Sequence, residues 1–291
     1  FTPSTYGSNV NDGVTGKASR DFDKSTTNNL EWVTNFSTRI KNHQIRAMVG
    51  YSYNYGVNSG MSAENWNFSS DGLTYNNLGS GLEAAKEGKT MMSSYKNDHK
   101  LISFFGRVNY DYKGRYLAEV NMRYDGTSRF LRDNRWNLFP SFSLGWNMAR
   151  EAFFEDLTDL ISTFKIRGSW GELGNQNTDN WYPFYRTIDI NKDQWGNYAL
   201  GSWLVNGVKP NISKESALVS SLLTWEKTQT LDLGFDLSML NNRLNVTFDY
   251  FQRKSKNMVG PAPELPNLLG IAVPKVNNLD MTSKGWEIQV N

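Results

Sequence analysis

The sequence predicts an all-β protein, a transmembrane antiparallel up-and-down β-barrel of which about nine strands are present. Three observations carry that prediction. Apolar and polar residues alternate with period two, the alternating runs are roughly 10–13 residues long, and short and long connections follow one another in turn.

The first run, from Leu30 to Ile40, places Leu30, Trp32, Thr34, Phe36, Thr38 and Ile40 on one face and Glu31, Asn35, Ser37 and Arg39 on the other. Lys41, Asn42 and His43 leave room only for a hairpin turn. The second run then sets Ile45, Ala47, Val49, Tyr51, Tyr53 and Tyr55 against Gln44, Arg46, Met48, Gly50, Ser52 and Asn54. From Gly56 to His99 alternation gives way to Asn, Ser, Gly and Asp, with a short helix predicted near Leu82 to Glu87. In the third run Ile102, Phe104, Val108, Tyr110 and Tyr112 oppose Ser103, Arg107, Asn109 and Asp111, and Lys113-Gly114 makes a tight turn. The fourth sets Tyr116, Ala118, Val120, Met122 and Tyr124 against Leu117, Glu119, Asn121, Arg123 and Asp125.

After a polar segment from Gly126, a fifth run alternates Trp136, Leu138, Phe142, Leu144, Trp146 and Met148 with Asn137, Ser141, Ser143, Gly145 and Asn147, with Pro140 inside it. A helical pattern over 150–162 precedes the sixth run, Phe164, Ile166, Gly168 and Trp170 opposite Lys165, Arg167, Ser169 and Gly171. The stretch from Leu173 to Trp225 reads as irregular. The seventh run opposes Leu231, Leu233, Phe235, Leu237 and Met239 to Thr230, Asp232, Gly234, Asp236 and Ser238. Asn241-Asn242 closes a hairpin into the eighth, Leu244, Val246, Phe248 and Tyr250 against Asn245, Thr247 and Asp249. A ninth begins near Lys284 with Trp286, Ile288 and Val290.

Connections after the odd-numbered runs are short and those after the even-numbered runs mostly long, the asymmetry of an outer-membrane barrel with short periplasmic turns and long extracellular loops. Tyr and Trp collect near the run ends on the apolar face. Tyr110, Tyr112 and Tyr116 flank one short turn, while Tyr51, Tyr53, Tyr55, Tyr124, Trp136 and Trp170 lie toward the long loops, as two membrane girdles require. The opposite face, with Arg39, Arg107, Glu119, Arg123, Lys165, Arg167, Asp232, Asp236 and Asp249, is expected to line a hydrated lumen. A large soluble sandwich with a core of aromatics is the competing fold.

Composition narrows the function. The 31 Lys+Arg against 29 Asp+Glu give a net charge of +2, which offers no general drive toward nucleic acid. No run approaches the roughly eighteen apolar residues of a spanning helix, and the first thirty residues lack a basic, then apolar, secretory leader. Zero Cys rules out disulfides, thiolate metal sites and cysteine nucleophiles, and only His43 and His99 remain for imidazole chemistry. No metal, cofactor or catalytic group is expected. The paired carboxylates that glycoside hydrolysis needs are represented by Glu151, Glu155, Asp156 and Asp159, which read as a solvated charged face of the short helical connector.

Several segments resemble the SusC/RagA family of TonB-dependent outer-membrane transporters. They are FFGRVNYDYKGRYLAEVNMRYDGTSRF (Phe104 to Phe130), NRWNLFPSFSLGWNMAREAFFED (Asn134 to Asp156), FKIRGSWGELGNQN (Phe164 to Asn177), LTWEKTQTLDLGFDLSMLNNRLNVTFDYFQRKSKNM (Leu223 to Met258) and MTSKGWEIQV (Met281 to Val290). The resemblance implies a bacterial outer-membrane barrel of about 22 strands with a plug inside. It also implies energy from the TonB complex and a SusD-like surface lipoprotein over the extracellular mouth. Residues 1–291 are then part of the barrel domain, with the plug and remaining strands outside this sequence.

Under that resemblance the chemistry is recognition of an oligosaccharide, or of a peptide, rather than bond breaking. Loop aromatics Trp66, Trp181, Tyr182, Trp195, Tyr198 and Trp203 suit the apolar faces of sugars, with packing inside the loops or against the lipoprotein as their competing role. In Tyr124-Asp125-Gly126-Thr127-Ser128-Arg129-Phe130, Asp125 and Arg129 are placed to meet substrate or plug. The structural reading makes the same segment a turn, with special backbone angles at Gly126 and Asp125 capping the loop. Gly171-Glu172-Leu173-Gly174-Asn175-Gln176 reads as a strand exit. The alternatives to an importer are a soluble or surface β-rich glycan-binding or adhesin module and an open porin.

Overall fold

The computed structural model describes residues 17–66, 68, 77–81, 92–176, 178, 181–186, 188–190, 201, 203–215, 218–220, 223–261 and 275–291. Among the described residues there are eleven strands: β1 (Lys17–Ile40), β2 (His43–Trp66), β3 (Met92–Tyr112), β4 (Tyr116–Thr127), β5 (Trp136–Asn147), β6 (Ile161–Asn175), β7 (Ile188–Ile190), β8 (Ser213–Glu215), β9 (Glu226–Met239), β10 (Leu244–Gly260) and β11 (Val276–Val290). Nine of them form one sheet in the order β1-β2-β3-β4-β5-β6-β9-β10-β11, and β7 pairs with β8 by itself. Successive neighbours from β3 to β11 in this sheet pair antiparallel. The nine expected runs are thus the nine strands of the large sheet, while the β7–β8 pair inside the long irregular stretch has no counterpart in the sequence reading.

The chain divides into two compact units, Phe1–Asn29 with Asn54–Lys100, and Leu30–Tyr53 with Leu101–Asn291. Strands β1, β2 and β3 contribute residues to both. They are 24, 24 and 21 residues long, well beyond the expected length and beyond the roughly 9–11 residues that cross a bilayer. The added lengths are polar and are held by side chains. Tyr95 donates to Asp23 at 2.8 Å, Ser62 to Asp21 at 2.5 Å, and Asn54 to Asn29. Buried Asn65 reaches the carbonyls of Leu78 and Gly81 at 2.8 and 3.0 Å. The helix expected at 82–87 lies outside the described residues.

Within the second unit the hairpins follow from turn chemistry. Lys113 and Gly114 have φ of 55° and 66°, the left-handed pair of a tight turn within the three-residue connection 113–115, and the Arg115 N–H donates to the Tyr112 carbonyl at 2.9 Å. Leu240, Asn241 and Asn242 all have positive φ and join β9 to β10. The fifth connection, 148–160, folds as two short 3-10 turns over Met148–Arg150 and Ala152–Leu157. It is longer than the 128–135 connection that follows β4, so the alternation of connection lengths is less regular than the sequence suggests.

The two faces of the sheet differ in kind. On one, Phe104, Val120, Phe142, Leu144 and Trp286 are between 44% and 68% exposed, and no second sheet covers them among the described residues. This is not the arrangement of a soluble sandwich, which buries such a face. On the other, charged and amide side chains pair across strands, and residues from β2 through β9 line a common hollow, so the sheet curves with its polar face concave.

Aromatic contacts run along the apolar face in two lines. Near the short connections His43, Tyr112, Tyr116, Trp146 and Phe153 follow one another with centroids 4.8 to 6.4 Å apart, and the line continues through Phe154, Phe164, Phe235 and Phe248. Toward the long connections Tyr51, Phe104, Trp136 and Tyr124 form the second line, at 5.0 to 6.3 Å, with Phe142 stacked on Trp170 at 5.1 Å beside it. Tyr53 is half-buried on β2, and Tyr55 carries the Lys100 ammonium 5.4 Å from its ring centroid. Tyr116 and Tyr124 are eight residues apart on β4, about 27 Å along a strand and about 20 Å in height at a barrel tilt of about 40°.

Candidate functional site: a polar concave wall and its mouth

The alternation that turns apolar side chains to one face brings the polar ones into register on the other. Arg167 on β6 stands opposite Gly234 on β9, which stands opposite Asp249 on β10, so its guanidinium reaches three carboxylates. The distances are 3.3 Å to Asp232, 3.4 Å to Asp236 and 2.7 Å to Asp249. Arg107 Nε donates to Asn121 Oδ1 at 2.6 Å, and Asn121 Nδ2 in turn to Glu119 at 2.7 Å. Higher on the wall, Lys227 pairs with Glu172 at 2.8 Å, and Gln229 donates to the same carboxylate at 2.7 Å.

Two hollows lie on this wall. One, of about 420 Å³, has Arg46, Asn109, Glu119, Ser143, Lys165 and Arg167 in its lining. The other, of about 520 Å³, is nearer the long connections and is lined by Phe105, Asn121, Arg123, Phe139, Ser141 and Thr230 among others. Concave surfaces with hydrogen-bonding groups and aromatic rings side by side suit a polar ligand rather than a compact apolar one.

Above the wall the long connections converge on a small core. Phe130, Phe139, Leu223 and Trp225 are buried together, with Trp225 edge-on to both Phe130 and Phe139 at 5.7 and 5.3 Å. Trp225 Nε1 donates to the Arg135 carbonyl at 3.0 Å, Asn134 Nδ2 to the Leu223 carbonyl at 3.3 Å, and Asn277 and Thr224 exchange hydrogen bonds at 3.0 and 3.1 Å. The 128–135 connection, the end of the long stretch before β9 and the start of β11 are thereby fixed to one another.

The expected recognition residues separate here. Arg129 and Trp181 come together, the guanidinium 4.8 Å from the indole centroid, and burial lowers the Arg129 pKa from its ordinary value. Tyr182 stacks edge-on with Tyr185 at 5.9 Å. Trp203 is exposed beside a tight turn at Asn206-Gly207. Trp66 ends β2 in the first unit, half-buried, and its N–H donates to Asn65 at 2.9 Å. Trp195 and Tyr198 lie outside the described residues.

Asp125 does not cap a loop. It is buried on β4 against Arg123 at 2.8 Å, and Arg123 also donates to Ser103 at 2.7 Å. Gly126 has no positive φ and remains inside β4, opposite Trp136. Its role is space: a Cβ there would lie 2.5 Å from the indole. Likewise Gly171 to Asn175 do not leave the sheet but continue β6, paired with β9 as far as Glu226.

Glu151 departs from the solvated face expected of the connector, whereas Glu155, Asp156 and Asp159 are exposed as expected. Glu151 accepts from Trp146 Nε1 at 3.1 Å and pairs with Arg115 at 3.2 Å. Hydrogen bonds from Tyr116 and Trp146, with Arg115 adding its charge, hold its carboxyl below the usual carboxylate range. His43 accepts from or donates to the Tyr110 hydroxyl at 2.7 Å, a pairing with no counterpart in the sequence reading. Arg135, Phe139 and Trp225 were also missed, since neither period-two alternation nor turn chemistry marks residues that pack in a mouth.

Comparison with known proteins gives one consistent result. Residues 1–291 match the family described as TonB dependent receptor-like, beta-barrel. TonB-dependent receptor P3 of Formosa agariphila is 33% identical over 283 residues, covering 96% of this chain and 26% of that protein. TonB-dependent receptor SusC of Bacteroides thetaiotaomicron is 35% identical over 200 residues, covering 68% of this chain and 19% of SusC. The structure of the RagAB peptide importer in its closed-closed state superposes with a TM-score of 0.72 at 23% identity, over 94% of this chain and 28% of the other. The chain therefore spans about a quarter of the length of such relatives.

Proposed function

The chain belongs to the TonB-dependent receptor-like β-barrel family, and on that premise we propose that it forms part of the wall of an outer-membrane active importer of large nutrients. Oligosaccharides are the first cargo class and peptides the second. The importer draws energy from the TonB complex and works with a SusD-like lipoprotein over its mouth. The observation that carries this reading is the two-faced sheet. An uncovered apolar face, bordered above and below by aromatic contacts, suits lipid, and a concave polar face with two hollows suits a hydrated lumen. The aromatic lines are then the two membrane girdles, the short connections face the periplasm, and the plug fills the lumen from outside this sequence.

No covalent step is required of the wall. Cargo hydroxyls or amides exchange water for Asn, Ser, Asp and Arg groups, and aromatic rings at the mouth meet apolar C–H faces. The RagAB protein with which the chain superposes is a peptide importer, and the same wall chemistry serves a peptide backbone. The test is extraction of the full-length protein from native outer membranes in detergent, followed by mass spectrometry of what copurifies. A lipoprotein partner in stoichiometric amount is the expected result. Recovery in the aqueous fraction, without lipoprotein, would sink the importer and return the soluble adhesin-like module to first place.

A further inference from the structure

The 128–135 connection, Ser-Arg-Phe-Leu-Arg-Asp-Asn-Arg, places three arginines and one aspartate at the mouth. Its backbone is fixed. The Arg129 N–H donates to Thr127 Oγ1 at 3.2 Å, the Thr127 N–H to the Arg135 carbonyl at 3.2 Å, and that carbonyl also accepts from Trp225 at 3.0 Å. Phe130 beneath it is 2% exposed. The connection therefore rests on a packed base.

Among the described residues no carboxylate lies within ion-pair distance of Arg129, Arg132 or Arg135. The Nε atoms of Arg129 and Arg135 are buried without a hydrogen-bond partner. Asp125 on β4 is engaged by Arg123, and Glu226, next to Trp225, by Asn175 and the Val259 N–H at 2.7 and 2.8 Å. Arg129 instead lies over Trp181, which orders the long side chain, and its Nε–H has no acceptor among the described residues. A planar, ordered, partly desolvated fork of N–H donors matches the geometry of a carboxylate or a sulfate ester.

We infer that the mouth recognises an anionic group on the cargo, with Arg129 as the anion-binding residue and Trp181 as its support, and that the cargo is an acidic oligosaccharide. The sugar class follows from the aromatic rings that share this stretch, Tyr182 and Tyr185 beside Trp181, which offer apolar faces to pyranose rings as well as hydroxyl groups to their polar edges. This inference rests on the importer reading above and names its substrate class. Carboxylate and sulfate share the chemistry, and the experiment separates them.

The test uses the full-length protein with its lipoprotein partner in detergent. A panel of fluorescent oligosaccharides of matched length is titrated, neutral, uronate-containing and sulfated, together with tetraglutamate and tetraglycine. The expected result is tighter binding of an acidic sugar than of its neutral counterpart, weakening as salt rises. Arg129→Gln should weaken the acidic ligand at least tenfold and neutral ligands by much less. Arg129→Lys, which keeps the charge but not the fork, should fall between. Whether uronate or sulfate shows the larger loss identifies the anion.

Neutral sugars bound as well as acidic ones, with no effect of Arg129→Gln, would overturn the inference and leave glycan import standing. Binding of tetraglutamate alone, lost in Arg129→Gln, would keep the anion site and overturn the sugar class. No binding across the panel would overturn this inference and count against the importer as well, which the copurification experiment then decides independently.

Discussion

Val120 offers the sharpest check on which face of the sheet meets lipid. It is 44% exposed on β4, four residues from Tyr116 and four from Tyr124, and pairs with Phe142 on β5. That places it midway between the aromatic lines, about 10 Å in height from each at a strand tilt of about 40°. An arginine at the midplane of a membrane barrel costs about 2–4 kcal/mol, a factor of about 30 to 900 in the folding equilibrium. Ser143 is on the neighbouring strand but lines the polar hollow, where an arginine meets water and carboxylates and should cost under about 1 kcal/mol.

The assay is reversible urea unfolding of the full-length protein in lipid vesicles, followed by Trp fluescence, for Val120→Arg, Ala118→Arg, Met122→Arg, Tyr124→Arg and Ser143→Arg. A cost that peaks at Val120 and falls to about 1 kcal/mol or less at Tyr124 is expected. Equal costs at Val120 and Ser143, or a profile flat with position along β4, would refute the assignment of the two faces. A soluble core also resists arginine, but it has no reason to follow membrane depth.

Further expectations follow from the wall and the mouth. Glu151 has a lowered folded-state pKa, so its stabilising contribution is complete above the unfolded carboxylate value and is lost as pH falls through the folded value. Glu151→Gln should therefore flatten the acid limb of a thermal-stability profile between pH 6 and pH 3 (roughly, from the ordinary Glu value of about 4.3), measured by scanning calorimetry. Arg167→Gln leaves Asp232, Asp236 and Asp249 facing one another. Because these groups are only partly buried, about 1–2 kcal/mol is expected, with part of it recovered in Arg167→Gln/Asp249→Asn by urea unfolding. Trp225→Ala removes the centre of the mouth core. Limited proteolysis should then cut the 128–135 connection faster while the barrel's own unfolding midpoint moves little.

The large sheet was legible because a bilayer imposes period two on every strand that crosses it. Val120, Phe142 and Leu233 must be apolar where Glu119, Ser143 and Asp232 need not be. Outside the hydrocarbon that requirement lapses. Asp21, Asp23, Ser62 and Tyr95 continue β1, β2 and β3 through side-chain hydrogen bonds, and nothing in their polarity pattern marks a strand. Gly126 was misread for a related reason. Its sequence suits a turn, but the residue stays in β4, where the Trp136 indole across the strand fills the space a Cβ would need. The meeting of Arg129 with Trp181 joins residues from different connections, and no local pattern reports such a distance.

The uneven connections also bear on how such a wall assembles. Strands β6 and β9 are neighbours in the sheet, yet the 176–225 stretch separates them, while 240–243 joins β9 to β10. Closing a loop of about 50 residues rather than about 4 costs roughly 2 kcal/mol more in chain entropy. The β3–β4 and β9–β10 hairpins can therefore pair early, and the β6–β9 seam, with Arg167 reaching two strands beyond its own, is the natural place for a late step. A slow phase in refolding that responds to Arg167 but not to the Lys113-Gly114 turn would locate that step at the seam.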